Sequence, residues 1–207
     1  MNIFFDLDGT LLDSKKRLYT LFQNLVPNSG LSMEEYWELK RNNIDHRNIL
    51  SKKFNYSEKD YNQFEKIFLE KIEQLDYLKL DTIFIGVYEL LDALIQENNV
   101  FLVTSRKNKV NALIQLKLFD ICKYFKDVLI TGYYYDKAEL IGMIKYQKED
   151  FIIGDSGYDI LTGQQLGIHT IAVSYGFLNK QILENYKPEF IVDNLVEITG
   201  ILEKTVL

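Results

Sequence analysis

The sequence predicts an α/β protein, a doubly wound parallel sheet interrupted after its first strand by an all-helical insert. Three observations predict it. From about residue 81 onward, short apolar runs of strand character alternate with segments of helical period, the pattern of a parallel sheet covered on both faces. One more apolar run stands alone at the start, residues 2–6. Between the two, residues 14–80 carry helical pattern with no convincing strand.

The elements follow in order. Phe4 and Phe5 mark the first buried strand. Leu18, Leu21, Phe22 and Leu25 repeat at i, i+3, i+4, i+7 and predict a helix. Ser32 with Glu35 reads as a capping box opening a second. Ser57 caps a third, with a stripe of Tyr61, Phe64, Phe68, Ile72 and Leu75. Val87, Leu90, Leu91 and Leu94 begin the alternation with a helix, and residues 100–103 are a strand. Val110, Leu113, Ile114 and Leu118 mark the next helix. Strands over 128–130, 151–153, 170–173 and 190–192 complete the sheet, and a helix over 195–202 closes the chain. The economical division is a core of residues 1–13 and 81–207 and a helical cap of residues 14–80. An insert at that point stands over the carboxyl ends of the strands, where open α/β sheets bind ligands.

Composition narrows the function. The chain has 207 residues, 47% hydrophobic and 26% charged, ordinary for a water-soluble domain. A net charge of −6 argues against a broad nucleic-acid surface. No apolar run reaches the roughly 20 residues of a membrane helix. Cys122 is the only cysteine, so no internal disulfide forms, which suits the cytoplasm. Strand-like sequence from Asn2 leaves no room for a signal peptide, and the expectation is a cytoplasmic monomer or homodimer.

The chemistry-bearing residues follow the strands. The first strand ends in Asp6-Leu-Asp8-Gly9, the second in Thr104-Ser105, and Lys137 precedes the helix after the third. The fourth ends in Gly154-Asp155, with Asp159 four residues on. In a parallel sheet these ends share one edge. So many carboxylates around one lysine call for a cation, and oxygen donors without His or Cys favour Mg²⁺. A phosphate beside the metal accounts for the Thr104 hydroxyl and for Lys137 as a point charge.

These motifs, Asp6-Leu-Asp-Gly-Thr-Leu11, Thr104, Lys137 and Gly154-Asp-Ser-Gly-Tyr-Asp159, resemble in order the four motifs of the haloacid-dehalogenase superfamily, and within it the phosphoglycolate-phosphatase-like group with a helical cap. The resemblance implies a Mg²⁺-dependent phosphatase for a small phosphorylated metabolite. Asp6 would be the nucleophile, forming an aspartyl-phosphate. Asp8 would be the general acid and base, protonated at the outset by the push of neighbouring carboxylates. Asp6, the Asp8 carbonyl and Asp155 would hold the metal, with Asp159 behind them and Thr104, Ser105 and Lys137 on the phosphate. A phosphotransferase such as a hexose-phosphate mutase would share this set, and a phosphoryl-accepting regulator would need Asp6 without Asp8.

Outside the motifs, Asp13 and Ser14 read as turn and helix-capping groups. In the insert, Arg41, His46 and Arg47, in and beside the loop 42–48, are candidates for contact with a substrate anion, set against a solvated loop. His46 and His169 lack metal-ligand spacing and read as structural.

Overall fold

A computed structural model describes residues 1–205. The main sheet has six strands: β1 (Asn2–Phe5), β4 (Asn99–Thr104), β5 (Asp127–Ile130), β6 (Phe151–Gly154), β7 (His169–Val173) and β8 (Phe190–Val192). Their order is β5-β4-β1-β6-β7-β8, every pair parallel. The first strand of the chain is therefore interior, flanked by β4 and β6, and the chain winds outward in both directions. Side chains on β1 alternate: Ile3 and Phe5 enter one apolar cluster, Phe4 enters another on the opposite face. All three are fully buried, as a strand covered on two sides demands. Phe4 stacks on Phe101 of β4 with ring centroids 5.1 Å apart.

The connections are helices. α6 (Val87–Leu94) leads into β4, and α7 (Lys109–Leu118) with a 3₁₀ turn over Cys122–Tyr124 leads out of it. α8 (Lys137–Gly142), α9 (Gly157–Leu166), α10 (Lys180–Glu184) and α11 (Val196–Thr205) complete the windings. Gly167, in the left-handed region, stops α9.

A two-stranded ribbon, β2 (Leu12–Asp13) against β3 (Thr82–Ile83), stands at the neck of the insert. It is too short for periodicity to reveal. Between its strands lie α1 (Lys15–Leu25), α2 (Met33–Arg41), α3 (His46–Phe54), α4 (Glu58–Lys71) and α5 (Leu75–Leu78). The capping boxes at Ser32 and Ser57 are both formed. These helices bury their own cluster, centred on Leu21, Phe22, Tyr36, Ile49, Phe64 and Phe68. Among the described residues, no helix is long and apolar enough to cross a membrane.

Two sequence expectations need correction. Leu75 does not continue the α4 stripe; α4 ends before it and Leu75 is exposed. On α7 the helix forms, but Val110, Ile114 and Leu118 face outward. The buried face is Ala112, Gln115 and Leu116, because Gln115 is drawn into a polar network beneath the site.

Candidate active site

The carboxyl ends of β1, β4 and β6 deliver their side chains to one cavity of about 280 Å³, lined by Asp6, Asp8, Thr104, Lys137 and Asp155. Leu18, Ile72 and Glu73 line it from the helical insert. Lys137 is the first residue of α8, whose N-terminus is fixed by an Asp136–Glu139 capping box. Its buried ammonium donates to Asp6 Oδ1 and to Asp159 Oδ1, both at 2.5 Å. Asp159 also caps its own helix, its Oδ2 accepting from the Ser156 hydroxyl at 2.6 Å. Asp155 accepts the Phe177 N–H at 2.5 Å.

Gly9 makes the close packing possible. It sits at φ +83°, and a Cβ there would lie 1.9 Å from Asp155 Oδ2. No side chain fits, and the backbone conformation itself favours glycine.

Three carboxylates against one ammonium leave a buried excess of negative charge. Burial pushes Asp6 up to about 7, against the pull of Lys137, and burial with Asp6 and Asp159 nearby pushes Asp155 well above the ordinary range. Burial opposes the charge on Lys137, but Asp159 and Asp6 outweigh it and hold the ammonium protonated. One oxygen from each of Asp6, Asp155 and Asp159 lies within 4.8 Å of the others. An all-oxygen, over-negative donor set of this kind suits a hard divalent cation such as Mg²⁺.

Asp8 departs from expectation. No carboxylate forces a proton onto it. The Arg106 fork reaches it with Nε at 2.5 Å and Nη2 at 2.7 Å, Arg17 Nη2 approaches at 2.5 Å, and the Ser14 hydroxyl donates at 2.8 Å. Burial alone would raise its pKa, but Arg106 and Arg17 override it and hold Asp8 ionised, well below the ordinary carboxylate range. Ser14 is thus spent on Asp8 and makes no side-chain cap to α1, contrary to its reading as a capping group. Asp13 accepts from Lys15 N, a turn contact as expected.

Thr104 is buried at the end of β4, while Ser105 is exposed on the rim of the cavity. The candidates in the insert do not reach the site. Arg41 donates to the Ser174 and Gly176 carbonyls at 2.8 and 2.9 Å, tying α2 to the loop after β7. Arg47 pairs with Glu58. His46 lies among aromatic rings with Nε2 2.8 Å from the Tyr36 hydroxyl, and burial pushes it down to about 3, with Lys40 adding to the effect. His169 opens β7 and pairs with Glu189 at 2.6 Å.

Sequence reasoning missed Arg17 and Arg106. Arg17 did carry a signal: it stands four residues before Leu21 and eight before Leu25, a charge on the buried side of α1.

A parallel sheet that gathers carboxylates, a lysine and a threonine at its carboxyl edge, beneath a helical layer, defines a class of α/β enzymes working at that edge. The chain belongs to the haloacid dehalogenase-like hydrolases, whose family model matches residues 3–173. It is 27% identical to a protein of Caldanaerobacter subterraneus subsp. tengcongensis whose name assigns it provisionally as the pyrophosphatase PpaX, over 97% of this chain and 94% of that one. It is 24% identical to the pyrophosphatase PpaX of Oceanobacillus iheyensis, over 97% and 95%. In fold it resembles a haloacid dehalogenase-like family hydrolase from Streptococcus pneumoniae, with a TM-score of 0.78 and 22% identity over 97% of both chains.

Proposed function

We propose that the chain is a Mg²⁺-dependent phosphatase that hydrolyses a small phosphate ester or anhydride through Asp6. The observation that supports it best is Asp6 itself: a buried carboxylate at a strand end, oriented by Lys137 and within ligand distance of Asp155 and Asp159. Residues 14–80 would act as the cap that closes the cavity, and residues 1–13 and 81–207 as the catalytic core.

The Asp6 carboxylate attacks phosphorus in line. The bond from phosphorus to the leaving oxygen breaks, and that oxygen takes a proton from Asp8, which is held ionised by Arg106 and Arg17 in the structure and must first turn from them and take a proton from solvent. Water then attacks the aspartyl-phosphate, gives its proton to Asp8, and phosphate and the Asp6 carboxylate are released. Lys137 and Thr104 bind the phosphoryl oxygens, and Ser105 extends that contact at the rim. Mg²⁺ would be held by Asp6, the Asp8 carbonyl and Asp155, with Asp159 behind, and would offset charge on the phosphoryl oxygens. Leu18 and Ile72 line the cavity from the insert and would exclude water if the cap closes further.

Phosphate release from p-nitrophenyl phosphate, phosphoglycolate, a hexose 1-phosphate and inorganic pyrophosphate, each with Mg²⁺ and with EDTA, tests the reading. Release that requires Mg²⁺ is expected. Activity surviving EDTA overturns the metal role. Isomerisation of the hexose phosphate without release would make the chain a mutase.

The charge excess carries a stability prediction. Asp6 and Asp155 have raised pKa values when folded, so between about pH 4 and 7 the native state binds more protons than the unfolded chain. Metal-free protein should therefore lose stability as pH rises across that window. Asp8 acts with the opposite sign only below the ordinary carboxylate range, and buried His46, pushed down to about 3, acts with the opposite sign up to about pH 6.5; against it Asp81, pushed up to about 6 by burial, adds to Asp6 and Asp155. The expected fall in Tm from pH 5 to pH 8 is on the order of 5–10 °C. Mg²⁺ should raise Tm more at pH 8 than at pH 5. A metal-free Tm that is flat or rising with pH, in a thermal melt, would remove the basis for this.

A further inference from the structure

The loop between β7 and α10, residues 174–179, carries the backbone that touches Asp155. Asp155 Oδ2 accepts the Phe177 N–H, and Gly176 packs so close that a Cβ there would lie 2.3 Å from that oxygen and 2.3 Å from the Gly9 carbonyl oxygen. Packing this tight passes a shift of the loop on to Asp155. The core holds the loop at several points. The Ser174 N–H donates to the Val192 carbonyl and its hydroxyl to Asp193. The Tyr175 hydroxyl donates to the Thr10 carbonyl, and Asn179 Oδ1 caps α10.

The insert holds the rest. Arg41, the last residue of α2, donates to the Ser174 carbonyl and to the Gly176 carbonyl, one residue before Phe177. Trp37, one turn earlier, meets the Phe177 ring with centroids 5.2 Å apart. The Asn179 N–H donates to the Arg41 carbonyl at 3.0 Å, and the Asn179 side-chain amide donates to Asn42 Oδ1 at 3.0 Å. A guanidinium fork spanning two carbonyls fixes their spacing, which a single ammonium does not. These contacts stand apart from the ribbon of β2 and β3, where the chain itself joins insert to core. Neither Arg41 nor Trp37 lines the cavity.

We propose that Arg41 is a positioning residue for the metal site: through the backbone of Gly176 and Phe177 it sets the Asp155 carboxylate, so that docking of α2 on the core and binding of Mg²⁺ at Asp155 favour each other. This rests on the metal role proposed above. Such coupling is reciprocal and is read as affinity at either end.

The test titrates Mg²⁺ into the metal-free full chain by calorimetry, in the wild type and in Arg41→Ala, Arg41→Lys and Arg47→Ala. Arg41→Ala should weaken Mg²⁺ binding at least about fivefold. Removing a positive charge would by itself tighten cation binding, so the direction separates positioning from plain electrostatics. Arg41→Lys, which keeps the charge and loses the fork, should fall between the two. Arg47→Ala breaks only the pair with Glu58 inside the insert and should leave the affinity unchanged. Equal affinity in the wild type and Arg41→Ala, or an equal loss in Arg47→Ala, overturns the proposal. Hydrogen exchange on the wild type needs no variant to fold. Saturating Mg²⁺ should slow exchange of the Asn179 N–H, which reports docking, at least about fivefold more than exchange of the Tyr61 N–H, which bonds within the insert. An equal change at both overturns the coupling even if Arg41→Ala does not fold. A wild type that binds no Mg²⁺ removes the metal role and the coupling together, whereas Mg²⁺ binding that depends on Arg41 without phosphate release upholds the coupling and indicts only the phosphatase reading.

Discussion

Asp6→Asn is expected to lower kcat for any hydrolysed phosphate ester by at least about 10⁴-fold, the scale of losing a covalent nucleophile. The amide keeps the shape of the carboxylate, and its oxygen can still accept from Lys137 Nζ, so binding geometry should persist. What it removes is the attacking oxygen and one charge. Because Asp6 sits in a buried carboxylate excess, removing its charge relieves repulsion with Asp155 and Asp159. Metal-free Asp6→Asn should therefore melt no lower than the wild type at pH 8, while its Mg²⁺-induced gain in Tm shrinks. Loss of activity with retained stability separates a nucleophile from a structural carboxylate. A variant that keeps more than about a tenth of wild-type kcat would end the assignment, since mis-set electrostatics alone rarely spare a covalent mechanism.

The same residue shows what was legible in the sequence. Asp6, Thr104 and Asp155 are read easily because they end or follow apolar strands, and a parallel sheet brings strand ends to one edge regardless of the loops between them. Lys137 was placed by the same logic. It proves more deeply engaged than a loop lysine, since the Asp136–Glu139 capping box fixes the first turn of α8 and so directs its ammonium between Asp6 and Asp159.

What was not legible depends on contacts between residues far apart in the sequence. Arg106 meets Asp8 across 98 positions, and Arg17 meets Asp81 only because the ribbon of β2 and β3 brings the two ends of the insert together. No period encodes such pairing. The outward turn of Val110, Ile114 and Leu118 has the same origin. Apolar spacing alone favours burying that stripe, but Gln115 has two charged partners beneath the site, and leaving buried charges unbonded costs more than exposing a few apolar groups. Arg41 likewise reads in sequence as a candidate contact for a substrate anion. The docked α2 uses it to hold the Ser174 and Gly176 carbonyls beside Phe177, whose N–H reaches Asp155.

Asp8→Asn should produce a different failure from Asp6→Asn, one that depends on the leaving group. Loss of a general acid and base lowers rates by about 10²–10⁴-fold. Phosphorylation of Asp6 by p-nitrophenyl phosphate needs little help from an acid, because p-nitrophenolate is a stable anion. On the proposed mechanism, hydrolysis of the aspartyl-phosphate would still need the base. The variant should therefore release roughly one equivalent of p-nitrophenol per enzyme in a burst and then turn over slowly. With phosphoglycolate, whose alkoxide leaves poorly, the first step itself should fail and no burst of glycolate should appear. The structure adds a cost in stability. Asn offers one acceptor oxygen and no charge to a cradle built for an anion, so Arg17 and Arg106 are left with Asp81 and the more distant Glu73, and Tm should fall by an amount worth about 1–3 kcal/mol. Rapid-quench kinetics on the two esters read the outcome. Equal rate losses on both with no burst would mean that Asp8 does not divide its work between proton donor and base, and that the two arginines hold it for its charge alone.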